Sequence, residues 1–234
     1  MTTFTVTHKG KRKENQDIVL VNTLNATHTL YLIADGMGGY ERGAQAAKIV
    51  AEGIFVHLST LKDINSKDIQ KAVNKANLAI RQSKQDTHEK MGATIGGVIL
   101  SGDKALCFWV GDVKIFHFRD SKCHFETSPH TLMDEIKTNG SITDIEQLAK
   151  YKHVVTRSVQ GDIALSEIDF VELEELKEKD VLVICSDGVH DILTGKDIEQ
   201  ILSATENFGT ALNIIEKRLL EDAQDNFSLI YIDF

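Results

Sequence analysis

Short apolar runs bounded by turn residues recur along the chain and predict the strands of a β-sheet protein. The runs are rich in β-branched and aromatic side chains, which is typical of strands. The N-terminal residues also alternate between polar and apolar positions, as a strand does. The predicted strands are Thr29–Ala34, Ala93–Leu100, Ala105–Val110, Lys114–Phe118, Val181–Cys185 and Phe227–Ile232.

Helical patterns lie between these runs. Ser66–Asp86 carries apolar residues at i, i+3 and i+4 spacing, which places them on one buried face. Gly43–Leu58 is rich in alanine and follows a glycine turn. Thr194–Asp197 is a capping box that opens a helix, and Thr210–Asp222 has a further apolar face.

The predicted order is strands, two helices, a block of strands, an irregular stretch, a strand, two helices and a final strand. Strands with short connections pair antiparallel, so we expect an α+β layered architecture rather than a doubly wound parallel sheet. The polar stretch 124–160 has helical patterns at Leu132–Ile136 and Asp144–Tyr151. An excursion of this size is typical of a flap near a site. We expect one domain over residues 1–234, with 124–160 as a flap-like excursion.

Composition narrows the class of protein. The 234 residues are 42% hydrophobic and include a single proline, which is typical of a compact globular chain. A net charge of −9 argues against a nucleic-acid surface. The one basic cluster is Lys9–Lys13, and its lysines are interpreted as part of a solvated turn. No apolar run approaches the ~20 residues of a membrane span, and three cysteines without a C-x-x-C pair favour the cytoplasm.

Four aspartates lie where apolar runs end, and three of them are followed directly by glycine or asparagine. Each taken alone can be a structural turn residue. Taken together, carboxylates at strand ends can form an oxygen site for Mg²⁺ or Mn²⁺, because crowded carboxylates repel unless a cation neutralises them. Two such ions ~3.5–4 Å apart can activate a shared water for attack on phosphorus. The four residues are Asp17, Asp35, Asp187 and Asp225.

Arg12 lies three residues before Asn15 and close to Asp17 in the sequence. A guanidinium can bind two phosphate oxygens side by side and stays charged. A surface ion pair would be the better interpretation if Arg12 stood alone. With the aspartates, it predicts a metal-dependent phosphohydrolase.

Seven segments, in this order, resemble the motifs of the type 2C protein phosphatases, the metal-dependent PPM family, in its bacterial stand-alone form. The resemblance spans almost the whole chain. The segments are Gly10–Asp17, Asp35–Gly39, Met91–Thr94, Val110–Asp112, His153–Val159, Cys185–Asp191 and Asp225–Ser228.

The resemblance implies a four-layer α-β-β-α sandwich with two central antiparallel sheets. It also implies that Asp35 bridges two metal ions, that the Gly36 carbonyl binds one of them, and that Asp187 and Asp225 complete the other. Asp112, together with Asp187, would hold a third, weaker ion.

By the same resemblance, Asp17 acts through a coordinated water and Arg12 holds the substrate phosphate. The implied enzyme is a protein serine/threonine phosphatase. Its implied reaction is direct attack of a metal-bridging hydroxide on phosphoserine or phosphothreonine, without a phosphoenzyme. Its implied partners are phosphorylated proteins and an opposing bacterial serine/threonine kinase.

Some positions depart from the family pattern. Gln16 replaces a glutamate, and Met37 stands where animal members carry a histidine proposed as general acid. Two alternatives stay open at this point. One is a catalytically impaired relative that acts as a regulatory binding module, and the other is a small-molecule phosphomonoesterase.

Overall fold

The computed structural model describes residues 1–37, 42–84, 90–140, 148–164, 167–205 and 207–234. Within these ranges the chain forms two five-stranded antiparallel sheets. Sheet I has the order β2-β3-β4-β5-β8, and sheet II has the order β1-β10-β9-β6-β7. The strands are β1 Thr2–His8, β2 Asp17–Thr23, β3 Thr29–Gly36, β4 Ala93–Ser101, β5 Lys104–Val110, β6 Lys114–Arg119, β7 Lys122–Glu126, β8 Asp169–Leu173, β9 Val181–Cys185 and β10 Phe227–Asp233.

Helices cover the outer face of each sheet. Apolar side chains of α1 and α2 pack on sheet I, and those of α5 and α6 pack on sheet II. The helices are α1 Gly43–Leu58, α2 Ser66–Lys84, α3 Leu132–Asn139, α4 Asp187–His190, α5 Gly195–Ala204 and α6 Phe208–Asp222. None of the helices in the described ranges is long and apolar enough to cross a membrane.

The inner faces of the two sheets pack against each other. Tyr31 and Ile33 of β3 belong to the same buried cluster as Ile184 of β9 and Ile230 of β10. Every residue of β9 is buried, because this strand lies between a helical layer and the other sheet. The expected α+β fold, an α-β-β-α sandwich with two antiparallel sheets, is confirmed.

The six predicted strands are all present, with ends that differ by two residues at most. The strands that the apolar runs did not predict are β2, β7 and β8, and each lies at the edge of its sheet. An edge strand pairs on one side only and carries more polar side chains, so its apolar signal is weaker.

The predicted helices are confirmed with small changes. Gly43–Leu58 has the predicted bounds, and the Thr194–Asp197 capping box is present at the start of α5. Helix α6 begins two residues earlier than predicted, because Asn207 caps it, and α3 runs three residues beyond Ile136. Residues 144–147 of the expected 144–151 helix, Asp86 at the expected end of α2, and Gly38 and Gly39 lie outside the described residues.

Candidate active site

A cavity of ≈ 520 Å³ opens where β3 and β9 end and β10 begins. Its walls come from both sheets and from the segment after α3. Six of the seven predicted site residues line it, and Asp17 lies directly behind it, opposite Asp35 in the β2–β3 pairing. The lining residues are Arg12, Asp35, Gly36, Met37, Thr94, Asp112, His153, Val155, Asp187, Asp225 and Asn226.

Sheet I supplies Asp17, Asp35 and Gly36. Asp17 and Asp35 are register partners in the antiparallel pair β2–β3, so their side chains share one face. The Gly36 amide donates to the Gln16 carbonyl at 3.1 Å. A Cβ at Gly36 would overlap the backbone of Gly43, so only glycine allows α1 to begin this close to the strand end.

Asp112 lies in the tight turn between β5 and β6. Its neighbour Gly111 has φ +103°, and a Cβ there would overlap the side chain of Thr94 on β4. The Gly111 amide donates to His130 Nδ1 at 2.9 Å, and the His130 amide donates to the Gly111 carbonyl at 2.8 Å. These contacts fix the turn that brings Asp112 to the cavity.

Sheet II supplies Asp187 and Asp225. Asp187 begins α4 just after β9, and Asp225 precedes β10. Ser186 connects these elements with sheet I, because its hydroxyl donates to Asp17 Oδ2 and accepts from the Ser228 amide, both at 2.9 Å. The two sheets are therefore joined by a buried hydrogen-bonded serine directly beside the carboxylates.

The carboxylates of sheet I lie in an unfavourable electrostatic environment. Burial, aided by the charges of Asp17, Asp187 and Asp112, holds the pKa of Asp35 well above its usual range. Burial likewise raises the pKa of Asp17 to about 6 and that of Asp112 to about 7, and the charge of Asp187 adds to both shifts. Their negative charges are thus not balanced by the protein itself.

Asp187 behaves differently from its neighbours. Burial alone would raise its pKa, but the nearby imidazoles of His153 and His190 outweigh burial and lower it. His153 Nδ1 lies 3.8 Å from Asp187 Oδ2, and His153 Nε2 lies 3.6 Å from Asp191 Oδ2. Asp187 is therefore more readily ionised than Asp35, Asp17 or Asp112.

Arg12 lies at the cavity as predicted, but its guanidinium binds Asp225. Arg12 Nε donates to Asp225 Oδ1 at 2.8 Å and a terminal nitrogen donates to Oδ2 at 2.6 Å. The two side chains are 52% and 37% exposed, so such a pair is worth about 1 kcal/mol or less. This ion pair can therefore open at little cost, which leaves Arg12 able to bind a phosphate and Asp225 able to bind a cation.

The donor set fits hard divalent cations. It consists of oxygen atoms only, and Asp17 Oδ1 is buried without a hydrogen-bond partner among the residues that the structure describes. As they stand, no three His, Cys, Asp or Glu side chains in the described part of the chain are grouped closely enough to hold one ion. Binding at Asp225 would first require this carboxylate to leave Arg12.

Among the residues at the site that were not predicted to be part of it, four are polar: His153, Thr94, Ser186 and Asn226. Asn226 accepts from the Gln16 amide at 2.9 Å and donates to the carbonyls of Lys9 and Glu14 at 2.9 and 2.8 Å. The sequence signal for Ser186 and Asn226 was their position next to a predicted aspartate. His153 is not next to a predicted aspartate, and its sequence signal was its place at the start of His153–Val159, one of the seven segments that carry the resemblance.

Comparison with known proteins shows which family the chain matches. The family model described as protein phosphatase 2C matches residues 6–221. Among curated proteins, protein phosphatase PhpP of Streptococcus pneumoniae is 28% identical over 202 residues, which are 83% of this chain and 80% of PhpP. Serine/threonine protein phosphatase PstP of Mycobacterium tuberculosis is 25% identical over 229 residues, which are 95% of this chain and 42% of PstP.

Solved structures agree in fold. The serine/threonine phosphatase of S. agalactiae superposes with a TM-score of 0.87 at 26% identity, over 98% of each chain. The catalytic domain of PstP in complex with two manganese ions has the same fold, with a TM-score of 0.79 at 22% identity over 99% of this chain and 97% of that one.

Proposed function

The chain belongs to the protein phosphatase 2C family, and from this membership and its site we propose that it removes phosphate from phosphoserine and phosphothreonine in proteins by direct attack of water. In this reaction the oxygen of water adds to phosphorus, the bond from phosphorus to the side-chain oxygen breaks, and the released alcohol takes up a proton. No phosphorylated form of the enzyme is involved. The observation that carries the proposal is that carboxylates from both sheets line one cavity together with Arg12.

Mg²⁺ or Mn²⁺ would be held by Asp35, the Gly36 carbonyl, Asp187 and Asp225, with Asp17 acting through water. A third, weaker ion would use Asp112 with Asp187. When bound, the cations supply Lewis-acid activation of water and neutralise charge on the phosphoryl oxygens. The raised pKa values of Asp35, Asp17 and Asp112 support this role, because a cation offsets both the burial of these charges and their mutual repulsion.

Within the chain itself, Arg12 would bind the phosphate of the substrate. Its guanidinium already holds two carboxylate oxygens of Asp225 side by side, and a phosphate offers the same pair of acceptors. A cation at Asp225 would release Arg12 for the substrate. Metal binding and phosphate binding would therefore favour each other through this one ion pair.

The biological setting follows from the proposed reaction. Substrates would be proteins phosphorylated by a serine/threonine kinase, which this enzyme would oppose. We place the enzyme in the cytoplasm, where the free thiols of Cys107, Cys123 and Cys185 would stay reduced. A catalytically impaired regulatory module is not favoured, because all five predicted site aspartates are present, with Asp35, Asp112, Asp187 and Asp225 at the cavity and Asp17 directly behind it.

A metal-dependent assay with matched variants tests the proposal. Phosphate release from a phosphoserine peptide should require Mn²⁺ or Mg²⁺ and stop in EDTA. Asp225→Asn should abolish it, whereas Asp222→Asn, the same chemical change at an exposed helix end, should keep it. Turnover in EDTA would contradict the mechanism, and hydrolysis of free phosphoserine but not of the peptide would favour a small-molecule phosphomonoesterase.

A further inference from the structure

A second cavity, of ≈ 370 Å³, adjoins the active site and shares Arg12, Asp225 and Asn226 with it. Lys11 and Lys13, the residues on either side of Arg12, also line it. A peptide whose phosphate reaches Arg12 therefore passes beside these two lysines. We call residues 9–13 the basic loop.

The basic loop is held in place rather than hanging free in solvent. The Asn226 side chain donates to the carbonyls of Lys9 and Glu14 at 2.9 and 2.8 Å, on the two sides of the loop. Gly10 has φ +56°, and a Cβ there would overlap the Asp225 carbonyl oxygen. Asp225 and Asn226, which line the active-site cavity, thus also fix the position of the two lysines.

The charge of the second cavity differs from that of the rest of the molecule. The chain as a whole carries −9. Asp225 is paired with Arg12, and Glu14 accepts a hydrogen bond from Gln16. Lys11 and Lys13 are exposed, and in the ranges that the structure describes neither takes part in an ion pair or a side-chain hydrogen bond. Two lysines next to a phosphate-binding arginine are available for a further anion.

We propose that Lys11 and Lys13 recognise a second anionic group on the protein substrate, next to the phosphorylated residue. The ammonium groups can bind a carboxylate of aspartate or glutamate as well as a second phosphate. The basic loop is then a specificity element that selects substrates phosphorylated within acidic or multiply phosphorylated segments. This inference rests on the proposed phosphatase function.

Kinetics with three phosphoserine peptides test the inference. The peptides share their length and the central phosphoserine, and carry on both sides either alanine, aspartate and glutamate, or a non-hydrolysable phosphonate analogue of phosphoserine. The readout is the ratio of kcat/KM for each anionic peptide to that for the alanine peptide. We compare the wild type, Lys11→Gln/Lys13→Gln, and the control Lys62→Gln/Lys67→Gln, which removes the same charge from exposed lysines outside both cavities.

The wild type and the control should prefer an anionic peptide by about three- to tenfold, the effect expected of two exposed charge pairs. The preference should fall to near one in Lys11→Gln/Lys13→Gln and should weaken with added salt. The anionic peptide that the wild type prefers more strongly identifies the recognised anion as carboxylate or phosphate. Equal kcat/KM for all three peptides in the wild type, or an equal preference in both double variants, would overturn the inference alone. A wild type that hydrolyses none of them would overturn the proposed function as well.

Discussion

Replacing Asp17 by asparagine should stabilise the metal-free protein while it weakens the metal-dependent activity. Asp17 is 5% exposed, and within the described ranges its Oδ1 atom has no hydrogen-bond partner. Burial, aided by the charge of Asp187, raises its pKa from 3.8 to about 6 even though Ser186 and Ser228 stabilise the charged form. The ionised side chain thus destabilises the fold when no cation is bound.

The size of the effect follows from the pKa. Each pH unit between the folded and the unfolded pKa corresponds to about 1.4 kcal/mol, so ionised Asp17 costs up to about 3 kcal/mol at neutral pH. Because the folded pKa is the higher one, this cost is absent below about pH 4 and complete above about pH 6. An asparagine removes it and offers an N–H donor beside Asp35. We expect a gain of about 1–3 kcal/mol.

Urea unfolding in EDTA measures this gain. The midpoint of Asp17→Asn should lie above that of the wild type at pH 7 with an unchanged slope, and the two should converge near pH 4. Asp63→Asn, at an exposed loop position, is the control and should leave the midpoint unchanged. With saturating Mn²⁺ the wild type should gain more stability than the variant. A variant that is less stable than the wild type in EDTA at pH 7 would refute this reasoning.

Three further predictions concern the surroundings of the site and the sheets. Arg12→Ala should lower kcat/KM for a phosphopeptide at least about tenfold, while calorimetry should find Mn²⁺ affinity equal or higher, because Asp225 is freed. Asp180→Asn should lower the free energy of unfolding by about 2 kcal/mol at pH 7. Burial disfavours ionised Asp180, but an arginine and a backbone amide outweigh burial and lower its pKa to about 2, so the loss should disappear as pH falls from about 4 to about 2. Gly111→Ala should cost about 2–4 kcal/mol, and Gly102→Ala, at a position that also has a positive φ (+60°) but open space around it, should cost about 1 kcal/mol.

Each of these predictions has a contradicting result. Weaker Mn²⁺ binding in Arg12→Ala would mean that the arginine supports the metal site rather than competing for it. A pH-independent loss in Asp180→Asn would assign its effect to packing instead of charge. Equal costs for the two glycine variants would show that the Thr94 side chain moves aside without penalty.

Much of the fold could be predicted because the inner strands have a clear apolar signal. Val181–Cys185 is buried throughout and was predicted with its observed bounds. The edge strands β2, β7 and β8 were missed, because one side of each is unpaired and their sequences are more polar. The order of strands within the sheets was not predictable from the residues, since β1 pairs with β10 from the opposite end of the chain.

Asp17, Asp35, Asp187 and Asp225 could be singled out because each lies next to a turn at a strand end, whereas Asp112 was indicated by the family resemblance alone. The contacts between them could not. Arg12 and Asp225 are 213 residues apart in the sequence, and Gln16 and Asn226 are 210 apart. No local pattern encodes such pairs, and the role of Asn226 in holding the basic loop became visible only in three dimensions.

Anomalous diffraction from crystals grown with Mn²⁺ tests the central claim most directly. We predict at least two strong peaks in the cavity between Asp35, Asp187 and Asp225, with Arg12 separated from Asp225. The same crystals of Asp35→Asn should lose at least one of these peaks. A cavity without peaks in the wild type at saturating Mn²⁺, or manganese bound only elsewhere on the surface, would contradict the account.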